Sequence, residues 1–128
     1  MKQQLPDRRS LFVLAAAGLA VMALAWAQEP AVRIVSPENG DVVAGRNVEL
    51  KMEVQGVVLT PRRSSNAAYV QLRLDDLPPV KGYSETFTFQ EVAPGNHVVR
   101  VELRRADGSE FRPPRRTQVR FTVRATDR

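Results

Sequence analysis

Apolar and polar residues alternate strictly along several short stretches of the chain. Val48, Leu50, Met52 and Val54 are separated by Glu49, Lys51 and Glu53. Ala68, Val70, Leu72 and Leu74 alternate with Tyr69, Gln71, Arg73 and Asp75. Val99, Val101 and Leu103 alternate with Arg100, Glu102 and Arg104, and Val119, Phe121 and Val123 with Arg120, Thr122 and Arg124. A period of two residues marks a strand with one face on a core and the other in water. Phe87 and Phe89 among threonines make a shorter strand, Val32-Arg33-Ile34 opens the domain, and Val42-Val43 reads as a brief edge piece. Turn formers separate these runs: Pro37-Glu38-Asn39-Gly40, Asp76 with Pro78-Pro79, Pro94-Gly95-Asn96, Asp107-Gly108 and Pro113-Pro114. No stretch of the mature chain has helical periodicity.

About seven short strands at this spacing predict an all-β, antiparallel two-sheet sandwich; a closed barrel meets the same spacing. Parity predicts a core of Ile34, Val48, Leu50, Met52, Val54, Val70, Leu72, Leu74, Phe87, Phe89, Val99, Val101, Leu103, Phe121 and Val123.

Residues 1–27 break the pattern. Lys2, Arg8 and Arg9 precede an uncharged stretch from Leu11 to Trp26, which ends in Ala25-Trp26-Ala27 before the polar Gln28-Glu29-Pro30. A basic start, an apolar middle and a small-x-small end predict a signal helix cleaved after Ala27, with Ala25 and Ala27 as the cleavage residues. The apolar stretch is shorter than the ~20 residues a membrane span needs. An uncleaved anchor is the alternative, and the only route to a membrane. Arg8-Arg9-Ser10-Leu11-Phe12 is similar to a twin-arginine export motif, although two arginines also suit the general secretory route. Either route predicts a periplasmic or secreted protein, with one domain over residues 28–128.

Composition narrows the chemistry. Of 128 residues, none is cysteine and one is histidine. That excludes a disulfide framework, a thiolate nucleophile and a thiolate metal site. No serine sits in a Gly-x-Ser-x-Gly elbow, and the glycines form no phosphate-cradling loop. The sequence therefore predicts no catalytic residue, no metal site and no cofactor. After the leader, the chain has sixteen basic and thirteen acidic residues, a net charge of +3. Residues 97–128 hold nine arginines against four acids, whereas residues 28–96 are slightly acidic.

Two segments resemble known domains. Ile34-Val35-Ser36-Pro37-Glu38-Asn39-Gly40-Asp41-Val42-Val43 is similar to the opening of bacterial immunoglobulin-like domains. Val92-Ala93-Pro94-Gly95-Asn96-His97-Val98-Val99-Arg100-Val101, followed by Asp107-Gly108, resembles their E–F corner and F strand. The resemblance implies an immunoglobulin-like sandwich in a small exported bacterial protein, and is nearly silent on function. Some such proteins carry a Gly-His-x-His stretch; the matching segment here, Asn66 to Asp76, has no histidine.

In that frame His97 is a structural corner residue, tying a ring nitrogen to backbone upstream as a corner tyrosine does. A lone imidazole is also a poor zinc site. Asp75-Asp76 reads as a strand end entering a hairpin rather than a calcium site. Arginine on outward parity is the sharper signal. With the last two strands paired and the Tyr69–Asp75 strand beyond, Arg73, Arg100, Arg104, Arg120 and Arg124 would share one sheet face, and Arg112, Arg115 and Arg116 would sit in the loop between the last two strands. These features predict a non-catalytic binding module for an unknown protein or an anionic polymer at the cell envelope, not for nucleic acid. Its contact surface would be the arginine face or the Val57–Asn66 loop with Arg62 and Arg63. A periplasmic handler of metal or carbohydrate is the alternative, with Met52, Tyr69 and Tyr83 as its meagre resources.

Overall fold

The computed structural model describes residues 29–126, so the leader and its cleavage residues Ala25 and Ala27 lie outside the described residues. The described chain is all β. Nine strands run in the order β1 (Ala31–Ser36), β2 (Asp41–Ala44), β3 (Val48–Gln55), β4 (Val58–Leu59), β5 (Ala67–Leu74), β6 (Val80–Gly82), β7 (Thr86–Phe89), β8 (Gly95–Arg105) and β9 (Glu110–Arg124). One sheet has the order β1-β3-β7; the other runs β2-β9-β8-β5-β4, with β6 also paired to β5. The long strands are antiparallel, while the short edge strands β2 and β4 pair parallel to β9 and β5. Two strands more than expected arise because β4 and β6, of two and three residues, share the outer edge of β5.

Alternation places the core between the sheets. Leu50, Val70, Leu72, Val99 and Leu103 are fully buried, with Val48, Val101 and Val123 almost so. Ile34, Phe87 and Phe89 pack on that core only partly buried, because β1 and β7 edge the smaller sheet, and Val54, near the end of β3, is also only partly buried. The core also takes in Ala67, Tyr69, Val92, Phe111 and Val119. Ala67 and Tyr69 depart from parity, and Tyr69 is the larger of the two. Tyr69 stands on the outer face, but the Lys81 ammonium lies 4.8 Å from its ring centroid and the Tyr83 ring 6.2 Å away, so its aromatic body is covered. Gly82 lets β6 close over β5: a Cβ there would stand 3.1 Å from both the Leu72 Cδ1 and the Val70 Cγ2 atoms.

Strands β8 and β9 form one long hairpin, closed by Asp107-Gly108. Gly108 has a φ of +90°, which only glycine adopts freely, and its N–H donates to the Arg105 carbonyl at 2.8 Å. The Asp107 carboxylate accepts from the Ser109 N–H and hydroxyl at 2.9 and 2.7 Å. The hairpin register then breaks. Leu103 faces Arg115 but Arg104 faces Glu110, so residues 111–114 have no partner on β8. Pro113 and Pro114, which cannot donate to a ladder, occupy that bulge. Arg115 and Arg116, expected in a loop, belong to the paired part of β9.

Candidate binding face of the larger sheet

The outer face of the larger sheet is built in ranks across β5, β8 and β9. Tyr69, Arg104 and Glu110 form one rank; Gln71, Glu102 and Arg116 the next; Arg73, Arg100 and Gln118 the third. Strand β8 is central, so its outward residues have neighbours on both sides.

The middle of the face is neutralised internally. Glu102, 9% exposed, pairs with Arg104 at 3.2 Å and with Arg116 at 3.5 Å. Glu110 closes the square, 3.5 Å from each of the same two arginines. Arg104 also donates to the Gly108 carbonyl at 3.0 Å, which anchors it to the hairpin turn. A carboxylate this deep needs such partners, because an unpaired buried charge is costly. Arg104 is thus committed to structure.

The third rank differs. Arg73 and Arg100 stand directly opposite each other on adjacent strands. Among the described residues, no carboxylate lies within ion-pair distance of either. Arg73 donates its Nε–H to the Leu77 carbonyl at 3.0 Å, leaving its terminal nitrogens free. Like charges opposite one another destabilise a strand pair. Both arginines line an open depression of about 520 Å³ with Gln71, Glu102, Arg116 and Gln118. Three arginines face one carboxylate there, and Glu102 is already committed to Arg104 and Arg116.

The five arginines expected on one sheet face all stand on it, but in different surroundings. Arg116 stands opposite Glu102 in the same unbroken register that sets Arg100 opposite Gln118, and past the break Arg104 faces Glu110. Arg120 faces Val98, diagonal to Arg100, and borders a separate depression with Gly40, Asp75 and His97. Arg124 lies past the end of β8, whose first residue, Gly95, faces Val123, and pairs with Ala44 of β2. Arg73 and Arg100 come together; Arg104 is neutralised; Arg120 flanks them; Arg124 stands apart.

His97 is anchored at both ring nitrogens. Nδ1 lies 2.6 Å from the Asp75 Oδ2 atom and Nε2 lies 2.6 Å from the Ala93 carbonyl, four residues upstream. Asp75 also accepts the Val98 N–H at 2.9 Å and leaves β5 with a φ of +53°, a conformation aspartate tolerates better than most residues. Burial works against a charged ring, but the bonds to Asp75 and Ala93 outweigh it and hold His97 above the usual histidine range. Burial likewise disfavours the Asp75 charge; the bonds from His97 and Val98 and the nearby Arg100 charge outweigh it and hold that carboxyl below its usual range. With both nitrogens engaged, this pair stitches β5 to β8 and has no free lone pair for a metal or a substrate. Among the described residues, no group of three or more His, Asp or Glu is placed to hold a metal ion.

At one end of the sandwich, residues 63–66 of the loop between β4 and β5 and the β8–β9 turn border another depression, of about 480 Å³. Arg105 stacks over Phe111 there, its guanidinium carbon 4.7 Å from the ring centroid. Arg62 lies in the same loop but outside that depression, and Tyr83 is half-exposed at the β6 edge.

Two facing sheets, a central β8 between β5 and β9, and a β3–β7 pairing in the opposite sheet define an immunoglobulin-like β-sandwich. Solved structures agree. A fibronectin(III)-like module of Clostridium thermocellum CbhA matches with a TM-score of 0.51 at 13% identity, over 75% of this chain and 99% of that one. The extracellular domain of the hybrid two-component system BT3049 from B. thetaiotaomicron matches with a TM-score of 0.52 at 19% identity, over 82% of this chain and 16% of that one. At this identity the likeness is one of fold. No protein-family model matches the sequence, and no curated protein sequence does.

Proposed function

We propose that the chain is an exported, non-catalytic binding module whose contact surface is the outer face of the larger sheet, and that its partner at the cell envelope is an anionic polymer. One observation carries the reading: Arg73 and Arg100 face each other without an ion-pair partner in an open depression, Glu102 and Glu110 being consumed by Arg104 and Arg116, and Asp75, which feels the Arg100 charge, by His97. Two like charges directly opposite each other oppose strand pairing, and an anionic partner would relieve that repulsion. The leader-like residues 1–27 and the extracellular setting of the BT3049 domain support export.

The test is retention on an immobilised sulfated polysaccharide at rising salt. Arg73→Glu with Arg100→Glu is compared with Arg46→Glu with Lys51→Glu, which changes net charge equally but lies on the β2–β3 connection and on β3. The first pair is expected to elute at clearly lower salt than the second. Exposed charges beyond about 8–10 Å are screened near physiological ionic strength, so close contacts dominate there. Equal losses in both pairs would mean that only net charge matters and that the face is an ordinary solvated surface.

A further inference from the structure

The depression between β5, β8 and β9 has a composition more specific than a basic patch. Arg100 has all its guanidinium N–H groups free of carboxylate, and Arg73 keeps its terminal pair free because only its Nε–H is engaged, by Leu77. The Leu77 bond also fixes the direction from which the Arg73 fork approaches. Gln71 and Gln118 flank the two arginines and add neutral amide donors to the same lining.

We infer that Arg73 and Arg100 form a discrete seat for one tetrahedral oxyanion, the sulfate or phosphate ester of a polymer. This rests on the proposed polyanion-binding role and makes it specific. The geometry of the donors selects the anion. Each guanidinium fork engages two acceptor oxygens side by side. Two forks on adjacent strands therefore call for more acceptor oxygens than the two of a single carboxylate. A sulfate ester or phosphate monoester offers three terminal oxygens, enough for both forks to bind along different edges and for a glutamine amide to meet what remains. Glu102 at the floor does not repel such a group strongly, because Arg104 and Arg116 already neutralise it. Among the described residues of this face the seat is single, since Arg104 is tied into the Glu102–Glu110 square and Arg120 lines a different depression.

The test uses the full chain in non-ionic detergent, which keeps the apolar leader in solution. Inorganic sulfate and inorganic phosphate are titrated separately while the arginine side-chain N–H signals are followed by NMR; heparin and polyglutamate are then used as competitors. Saturable shifts at Arg73 and Arg100 with one sulfate or phosphate per chain are expected, together with competition by heparin well ahead of polyglutamate. Arg73→Gln and Arg100→Gln should each weaken the anion about tenfold, the equivalent of one charge-assisted hydrogen bond. The relative strength of sulfate and phosphate tells which ester the seat prefers. If these variants lower retention on the polysaccharide column but no saturable shift occurs at the two arginines, binding is diffuse and the seat is wrong while the polyanion reading stands. Preference for polyglutamate over heparin would also overturn the seat. If neither column retention nor the titration responds to the variants, both readings fail. Melting temperatures near that of the parent chain confirm that the variants fold.

Discussion

Leu72→Ala is expected to lower the unfolding free energy by about 2–5 kcal/mol, a large share of the ~5–15 kcal/mol typical of a small domain. Leu72 is fully buried in the middle of β5, with β8 on one side and β6 on the other. Its truncation loses apolar burial and leaves a void that flanking strands close only in part. Gly82 gives the prediction a second arm. A Cβ at Gly82 would press on Leu72 Cδ1 at 3.1 Å, so Gly82→Ala should destabilise the parent chain. In the Leu72→Ala background that atom is gone and only the Val70 Cγ2 contact, also 3.1 Å, remains, so the same methyl is better accommodated. Urea melts of the double-mutant cycle should therefore be non-additive, with Gly82→Ala costing less in that background than in the parent, or even restoring stability there. Additive losses would mean that β6 does not close on Leu72.

The second large effect is in the pH dependence of stability, set by His97 and Asp75. His97 is raised in the folded state, so its contribution is complete below the ordinary histidine value of about 6.5 and is lost as pH rises through the folded value. Asp75 is lowered, so its contribution is complete above the ordinary carboxylate value of about 4 and is lost as pH falls through the folded value. Stability from this pair is therefore greatest between about pH 4 and 6.5 and declines on the alkaline side. His97 is the one histidine of the chain, which makes the experiment clean. Urea midpoints of the parent chain should fall as pH climbs from about 6 toward 9, and His97→Gln should flatten that slope. Parallel curves for the two proteins would mean that the Asp75–His97 bond carries no net stability.

What the sequence makes legible is what depends on one strand at a time. Strict alternation in Val48–Gln55 gives the inward Val48, Leu50 and Met52 directly, and the spacing of turn formers gives the strands that make the sandwich. What it hides depends on two strands at once. The order of Pro113 and Pro114 suggests a loop, but only the pairing with β8 reveals that the loop is a bulge and that Arg116 resumes the ladder opposite Glu102. The cross-strand pairing brings Arg104 and Arg116 to Glu102 and Glu110 and leaves Arg73 and Arg100 without an ion-pair partner. Tyr69 is hidden for a related reason: its parity is outward, but Lys81 and Tyr83 reach across from β6 and its exit to cover it. Signals for both were present in the chain, a proline pair inside an alternating run and an aromatic near a glycine-ended edge strand, yet neither determines a register alone. The Asp75–His97 bond joins residues twenty-two apart and follows from the β5–β8 pairing.

The central claim is that the Arg73–Arg100 rank is where an anionic polymer sits. Arginine modification with phenylglyoxal, followed residue by residue by mass spectrometry with and without heparin, tests it most directly. Strong protection of Arg73 and Arg100, weaker protection of Arg120 and none at Arg46 or Arg62 is the predicted result. Uniform protection of all exposed arginines, or protection confined to Arg62 and Arg63, would contradict it.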